Sequence, residues 1–263
     1  MLRAAVRGRH GETAMDAYHS LQCFALIVGN ARTGSTLLGS IIDAHPRAVV
    51  ANESAASASF WRDLDRGRIL AEIVENSRRN AAAGRPSEGY HYRIDDVEAT
   101  GDLLVAGDKV WNPATLLLHG DHGLIPRLAA AVGVPVRIIH AIRDPLDTIA
   151  TMHARSGAPV PDRIRWYFMH CDAAQAIRNR MPPDAFLDTH HEDLLADPDA
   201  EIARLCRFLG LPPDVRHLAG VKRLLFAEPR RTRSSVDWNS ADLAEIAARS
   251  QAFDFLARYT AGQ

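Results

Sequence analysis

Gly29 and Gly34 frame the loop Asn30-Ala31-Arg32-Thr33, and Ser35 and Thr36 follow directly. The chemistry open to this set is anion binding. Unpaired N–H groups at the start of a helix, aided by the macrodipole, wrap a phosphate or sulfate. A nucleoside-triphosphatase loop of this spacing, GxxxxGK[ST], carries a lysine where this chain has Ser35. Arg32 is the cation inside the loop, and a guanidinium forms paired hydrogen bonds with a tetrahedral oxyanion. Read from the glycine pair alone, an ordinary tight turn between strand and helix fits as well.

The elements around the loop must present it. An apolar run, Phe24 to Val28, ends at Gly29, and Leu37, Leu38, Ile41 and Ile42 recur at helical spacing. The order is strand, glycine loop, helix. That helix should end near Ala44, because His45 precedes Pro46 and the residue before a proline avoids the α region. Ala48 to Ala51 then reads as a strand that delivers Asn52 and Glu53 to its end. Leu103 to Ala106 reads as a third strand, followed by Asp108 and Lys109. Val136 to Ile142, rich in β-branched residues, reads as a buried strand, with Asp144 as the following N-cap and Pro145 as the first helical residue. Helical spacing puts Thr148, Thr151 and Arg155 on one face. In an open α/β sheet the ligand crevice lies beyond the carboxyl ends of the strands, so Glu53 and Lys109 share it with the loop. By themselves, Glu53 also fits a helix-start acid and Lys109 a solvated loop lysine.

Further helices follow from apolar spacing. One spans 66 to 82, broken by RPSEG, and a long one spans 161 to 181 with Ile164, Tyr167, Phe168 and Cys171 inward. Ile202, Leu205, Cys206 and Leu209 mark a core helix face, and a last helix runs from Ala241 to Tyr259. Residues 54 to 100 read as a helical insertion and loops above the sheet. Strands alternating with helices give an α/β fold: a P-loop-like three-layer sandwich, a central parallel sheet flanked by helices.

Composition sets bounds. The chain has 263 residues, 47% hydrophobic, with a formal net charge of −1, so one sizeable domain is expected and a nucleic-acid partner is not. Cys23, Cys171 and Cys206 lack metal-ligand spacing and sit in apolar surroundings, as buried thiols of a reducing compartment do. Adjacent His190 and His191 point to opposite faces of a strand and make no metal pair. Residues 1–22, read as an N-terminal extension, carry Glu12 and Asp16 and no continuous apolar stretch, unlike a signal or transit peptide. No stretch is long enough to cross a bilayer, so a cytoplasmic protein is expected.

The run GNARTGSTLLGSIIDAHP resembles the 5′-phosphosulfate loop of sulfotransferases, PxSGTTxL, with Arg32 at the cation position and Thr33, Gly34, Ser35 and Thr36 after it. DAHP with Glu53 and Ser54 looks most like the tyrosylprotein and related enzymes. The resemblance continues at Asp108-Lys109, where the family's lysine reaches the bridging oxygen. Trp111 stands where the common cytosolic enzymes have a catalytic histidine, which moves the base to Glu53. Arg143, with Thr151 eight residues later, matches the 3′-phosphate motif, and Arg155 adds to it. HEDL resembles the YEDL turn, with His191 at the tyrosine position. RTRSSVDWN resembles the RKGxxGDWKN lid: Arg231 and Trp238 keep their separation, Thr232 and Arg233 replace the lysine and glycine, and Arg231, helped by Arg233, would close over the 3′-phosphate.

The resemblance covers most of residues 23 to 240 and makes residues 23–263 a single sulfotransferase-like domain. It implies 3′-phosphoadenosine-5′-phosphosulfate (PAPS) as co-substrate, no metal, and transfer of a sulfuryl group to an acceptor hydroxyl or amine. Glu53 is then the general base, with Arg32 and Lys109 stabilising charge. A carbohydrate, a lipid, a small metabolite and a peptide tyrosine all fit as acceptor, and the oligomeric state is open. Two rival readings are a P-loop nucleotide kinase or NTPase, and a nucleotide-binding protein without turnover.

Overall fold

Strand β1 (Cys23–Gly29) explains the layering, because each of its residues is buried and they alternate between two cores. Phe24, Leu26 and Val28 enter one apolar cluster, and Cys23, Ala25 and Ile27 enter another. A strand apolar on both faces belongs inside a parallel sheet covered by helices on both sides. The computed structural model describes residues 18–56, 58–87, 90–92, 94, 102–225 and 231–260.

Along the chain, β1 is followed by α1 (Ser35–Asp43), β2 (Ala48–Asn52), α2 (Ala58–Arg62), α3 (Arg66–Ala82), and the short strands β3 (Pro86–Ser87) and β4 (Tyr90–His91). Then come β5 (Val105–Lys109), α4 (Asn112–Gly120), α5 (Leu124–Val132), β6 (Val136–Ile142), α6 (Pro145–Ser156) and α7 (Val160–Arg178). The chain continues through β7 (Phe186–His190), α8 (His191–Ala196), α9 (Pro198–Leu209), α10 (Val215–Leu224) and α11 (Ser240–Ser250). The sheet order is β2-β5-β1-β6-β7, with every neighbouring pair parallel. β3 and β4 form a separate antiparallel ribbon. The order reverses at β1, so its carboxyl end opens on the crevice where such sheets bind ligands.

Ile69, Leu70 and Ile73 of α3, Leu118 of α4 and Leu128 of α5 cover one sheet face. Leu37 and Ile41 of α1 and Ile202, Leu205 and Leu209 of α9 cover the other. A third cluster joins α6, α7 and α11 through Ile149, Phe168 and Ile246. The expected three-layer α/β fold is therefore present. No helix among the described residues is long and apolar enough to cross a membrane. The three cysteines are free and buried, and burial pushes the Cys23 and Cys206 thiols up to about 11 and that of Cys171 well above its ordinary value.

Several boundaries differ from the sequence reading. β5 runs to Lys109, so Asp108 and Lys109 are its last two residues rather than its sequel. A strand tolerates Asp108 there because its carboxylate accepts from the N–H groups of Ser54 (3.1 Å) and Ala55 (2.9 Å). α3 is not raised above the sheet but belongs to its covering layer. The last helix stops at Ser250, where Phe253 turns inward to stack on Phe168, and a short 3₁₀ segment, Asp254–Tyr259, follows. Of the segment read as an N-terminal extension, residues 1–17 lie outside the described residues, whereas Tyr18 and Leu21 pack into the first core cluster.

Candidate active site

All five parallel strands deliver a polar group at the same edge. β1 ends in the glycine loop, β2 is followed by Glu53, β5 ends at Lys109, β6 is followed by Arg143 and β7 by His191. The parallel register sets Asn52 beside Lys109, and Ile27 beside Lys109 on its other flank.

In the loop, the Thr33 hydroxyl donates to the Asn30 carbonyl at 2.9 Å, and Asn30 Nδ2 donates to the Tyr167 carbonyl at 3.1 Å, tying the turn to α7. Arg143 Nη1 donates to the Arg32 carbonyl at 3.3 Å. Gly34 is the N-cap of α1 with φ +84°, and an added Cβ would lie 2.6 Å from His191 Nδ1. Only a residue without a side chain fits both conditions. Since no side chain caps α1, its first N–H groups remain for a ligand.

On the β2–β5 side, Lys109 Nζ lies 2.5 Å from Glu53 Oε1, and the Glu53 N–H donates to the Lys109 carbonyl at 2.8 Å. Lys109 is almost fully buried while the Glu53 side chain is 40% exposed, so the carboxylate is the member open to a ligand. Glu53 holds φ +61° and Arg32 φ +70°; with Arg85 they are the described non-glycine residues at positive φ. Such conformations are sparsely populated and cluster at functional sites. Asp108 grips the two N–H groups that follow Glu53, and its burial pushes its carboxyl up to about 7 against the pull of those donors and of Lys109.

Two cavities meet at the loop. The larger, about 490 Å³, is lined by Arg32, Gly34, Ser35, Thr36, Arg143, Thr151, Arg155 and His191, among others. The smaller, about 370 Å³, is lined by Glu53, Lys109, Trp111 and neighbours. Arg32, Ser35, Thr36 and Ser87 border both. Three guanidiniums suit the larger cavity to a multiply charged anion. His191 is held neutral there, since burial first and the Arg143 charge second lower its pKa to about 4.

Of the residues singled out in the sequence, Arg32, Gly34, Ser35, Thr36, Arg143, Thr151 and Arg155 are brought together around the larger cavity, and Glu53 and Lys109 meet at the smaller. Thr33 is buried behind the loop, leaving its backbone to act. Arg233 is turned away: its guanidinium pairs with Asp144 (2.5 Å) and Asp147 (3.0 Å). Arg231 is exposed and lines neither cavity. The intervening Thr232 does line the larger one, its hydroxyl 2.8 Å from that of Thr151. Tyr92 and Ser235 also contribute; Ser235 belongs to the RTRSSVDWN run, whereas nothing in the sequence context of Tyr92 marks it. Asn52 ends β2 and Asp108 precedes the last residue of β5, beside Glu53 and Lys109 as in the sequence reading. Among the described residues no cluster of three or more His, Cys, Asp or Glu is arranged to hold a metal ion.

Residues 134–215 match the family model described as "Sulfotransferase family". No curated protein matches the chain. The fold is similar to the sulfotransferase domain of the Synechococcus PCC 7002 olefin synthase, at 16% identity and a TM-score of 0.55, over 89% of this chain and 96% of that one. It is also similar to the sulfotransferase of Alicyclobacillus acidocaldarius (19%, 0.50, 90% and 94%) and to sulfotransferase STF9 of Mycobacterium avium (12%, 0.52, 89% and 77%). At these identities the solved structures speak for the fold, while the family match spans β6, the Arg143–Thr151 pair and the turn at His191. A sulfotransferase family model thus matches residues 134–215, and the fold is similar to that of solved sulfotransferases over about nine-tenths of the chain.

Proposed function

We propose that the protein transfers a sulfuryl group from PAPS to an acceptor hydroxyl, with the donor in the larger cavity and the acceptor in the smaller. The observation that carries this reading is the junction of the two cavities at Arg32, Ser35 and Thr36, with three guanidiniums on one side and the Glu53–Lys109 pair on the other. A donor with a charged group at each end needs more than one cationic side chain, and the larger cavity offers Arg32 from the loop and Arg143 and Arg155 from the β6–α6 segment. The N–H groups of Thr33 to Thr36 with Arg32 would hold the 5′-phosphosulfate. Arg143, Thr151 and Arg155 would hold the 3′-phosphate, and exposed Arg231, next to the lining residue Thr232, would reach it by side-chain rotation. Arg233, which pairs with Asp144 and Asp147, would anchor that segment to α6 rather than contact the donor.

In the reaction the acceptor oxygen bonds to sulfur as the bond from sulfur to the 5′-phosphate oxygen breaks. The acceptor proton goes to Glu53, and adenosine 3′,5′-bisphosphate leaves. General-base help of this kind is worth about 10²–10⁴ in rate. Arg32, Lys109 and the loop N–H groups stabilise charge on the sulfuryl oxygens and the leaving phosphate, each such donor being worth roughly 10²–10³. An amine acceptor would use the same groups.

Calorimetry tests the donor side: adenosine 3′,5′-bisphosphate should bind without magnesium and more tightly than ATP. The reverse preference would mean a nucleotide kinase or NTPase. Transfer of labelled sulfate from PAPS, abolished or strongly reduced by Glu53→Gln, tests turnover. Bisphosphate binding with no transfer to any acceptor would leave a binding protein.

A further inference from the structure

The smaller cavity carries a signature of what it accepts. Asn52, Glu53, Ser87, Lys109 and Asn112 line it together with one aromatic side chain, Trp111. Asn52 Oδ1 is buried and has no hydrogen-bond partner among the described residues. An apolar acceptor such as a phenol or a fatty alcohol would displace water from these groups without replacing its hydrogen bonds. A ligand with several hydroxyls would satisfy them.

Trp111 adds a second, independent observation. It is 47% exposed, and it occupies the N-cap of α4 without supplying a capping hydrogen bond. Ser, Thr, Asp or Asn is favoured at that position, and a large apolar ring gains little by facing water. Trp111 therefore violates two local preferences at once, on the wall of a polar cavity, as functional residues do. A flat ring beside polar groups matches a molecule with an apolar face of C–H groups and an edge of hydroxyls.

We propose that the acceptor is a polyhydroxylated, carbohydrate-type alcohol, stacked on Trp111 and hydrogen-bonded through its ring hydroxyls to Asn52 and Asn112, one hydroxyl lying at Glu53. This rests on the sulfotransfer reading above. Trp111 selects the acceptor and takes no part in the proton transfer.

The test uses the full chain with PAPS and a panel of mono- and disaccharides, 4-nitrophenol and decanol. Sulfo transfer should be found on saccharides and not on the phenol or the fatty alcohol. Saccharide binding should quench tryptophan fluorescence, and Trp111→Ser should lose that quench. The same variant should raise the saccharide KM about 5- to 20-fold, the order expected for one stacked ring, with kcat within about twofold. It should unfold no earlier than the parent, because serine caps the helix better. Trp111→Phe should restore much of the KM. Transfer to phenol or decanol with none to saccharides overturns the inference, as does a Trp111→Ser enzyme with unchanged KM. Loss of adenosine 3′,5′-bisphosphate binding in the parent would instead bring down the sulfotransfer reading, and this inference with it.

Discussion

Replacing Gly34 by alanine tests the anion cradle at its tightest point, and the structure separates two costs. The first is backbone strain: Gly34 sits at φ +84°, ψ +12°, where an L side chain costs about 1–2 kcal/mol. The second is steric: the new Cβ would lie 2.6 Å from Nδ1, 3.2 Å from Cε1 and 3.4 Å from Cγ of His191. The ring has to move, and an off-rotamer displacement costs about 0.5–1.5 kcal/mol. The sum, about 1.5–3.5 kcal/mol, lowers the melting temperature by about 3–14 °C for a domain of this size. If the loop relaxes instead, its N–H groups turn from the anion, and losing one charge-assisted hydrogen bond weakens bisphosphate binding about tenfold to a hundredfold. Thermal unfolding of the parent, Gly34→Ala, His191→Ala and the double variant closes a cycle. Removing the ring should return only the steric part, a coupling of about 0.5–1.5 kcal/mol, and leave the strain. A Gly34→Ala protein that melts and binds like the parent would refute the cradle geometry. An additive cycle would refute the contact with His191.

Three further outcomes follow from the same geometry. Burial raises the Asp108 carboxyl from the ordinary carboxylate range to about 7, so between those values the folded protein keeps a proton that the unfolded chain has released, and stability falls as pH rises through that window. Urea midpoints at pH 5 and pH 8 should therefore differ more in the parent than in Asp108→Asn, and equal slopes would reject the assignment. Arg143→Lys loses the planar fork that can bond the Arg32 carbonyl and pair with a phosphate, so calorimetry should show bisphosphate binding weakened about tenfold or more; parent-like affinity would remove Arg143 from the site. Arg233→Ala should cost about 1–2 kcal/mol of stability, less than a fully buried pair, because its guanidinium is 39% exposed and screened. Its bisphosphate affinity should fall less than that of Arg143→Lys, and the opposite ranking would make Arg233 a donor ligand.

The parts of the fold that were legible in the sequence are those whose cause is local. β1 shows as an apolar run because both of its faces are buried, and the start of α6 shows because Asp144 and Pro145 are adjacent. The end of the last helix was not legible: its apolar spacing continues past Ser250, while in the structure the chain leaves the helix there and Phe253 stacks on Phe168, from α7. The direction of the Arg233 side chain was hidden for a similar reason. Its neighbours mark a basic segment, but its direction is set by Asp144 and Asp147, more than eighty residues earlier. The turn of α6 that carries Thr151 also supplies the carboxylate that draws Arg233 away.

Strain is the property that no pattern of residue types could disclose. Arginine and glutamate have no preference for positive φ, yet Arg32 and Glu53 both adopt it, and each such residue costs of order 1–3 kcal/mol unless its surroundings fix it. The clamps can be named. Arg143 holds the Arg32 carbonyl; the Lys109 carbonyl takes the Glu53 N–H, and Asp108 takes the next two. Each clamp comes from the end of a neighbouring strand, so the sheet itself determines both strained turns. The side chains at the junction of the two cavities are thus set by the parallel register, and a substitution that loosens a clamp should disturb Arg32 or Glu53 without touching either.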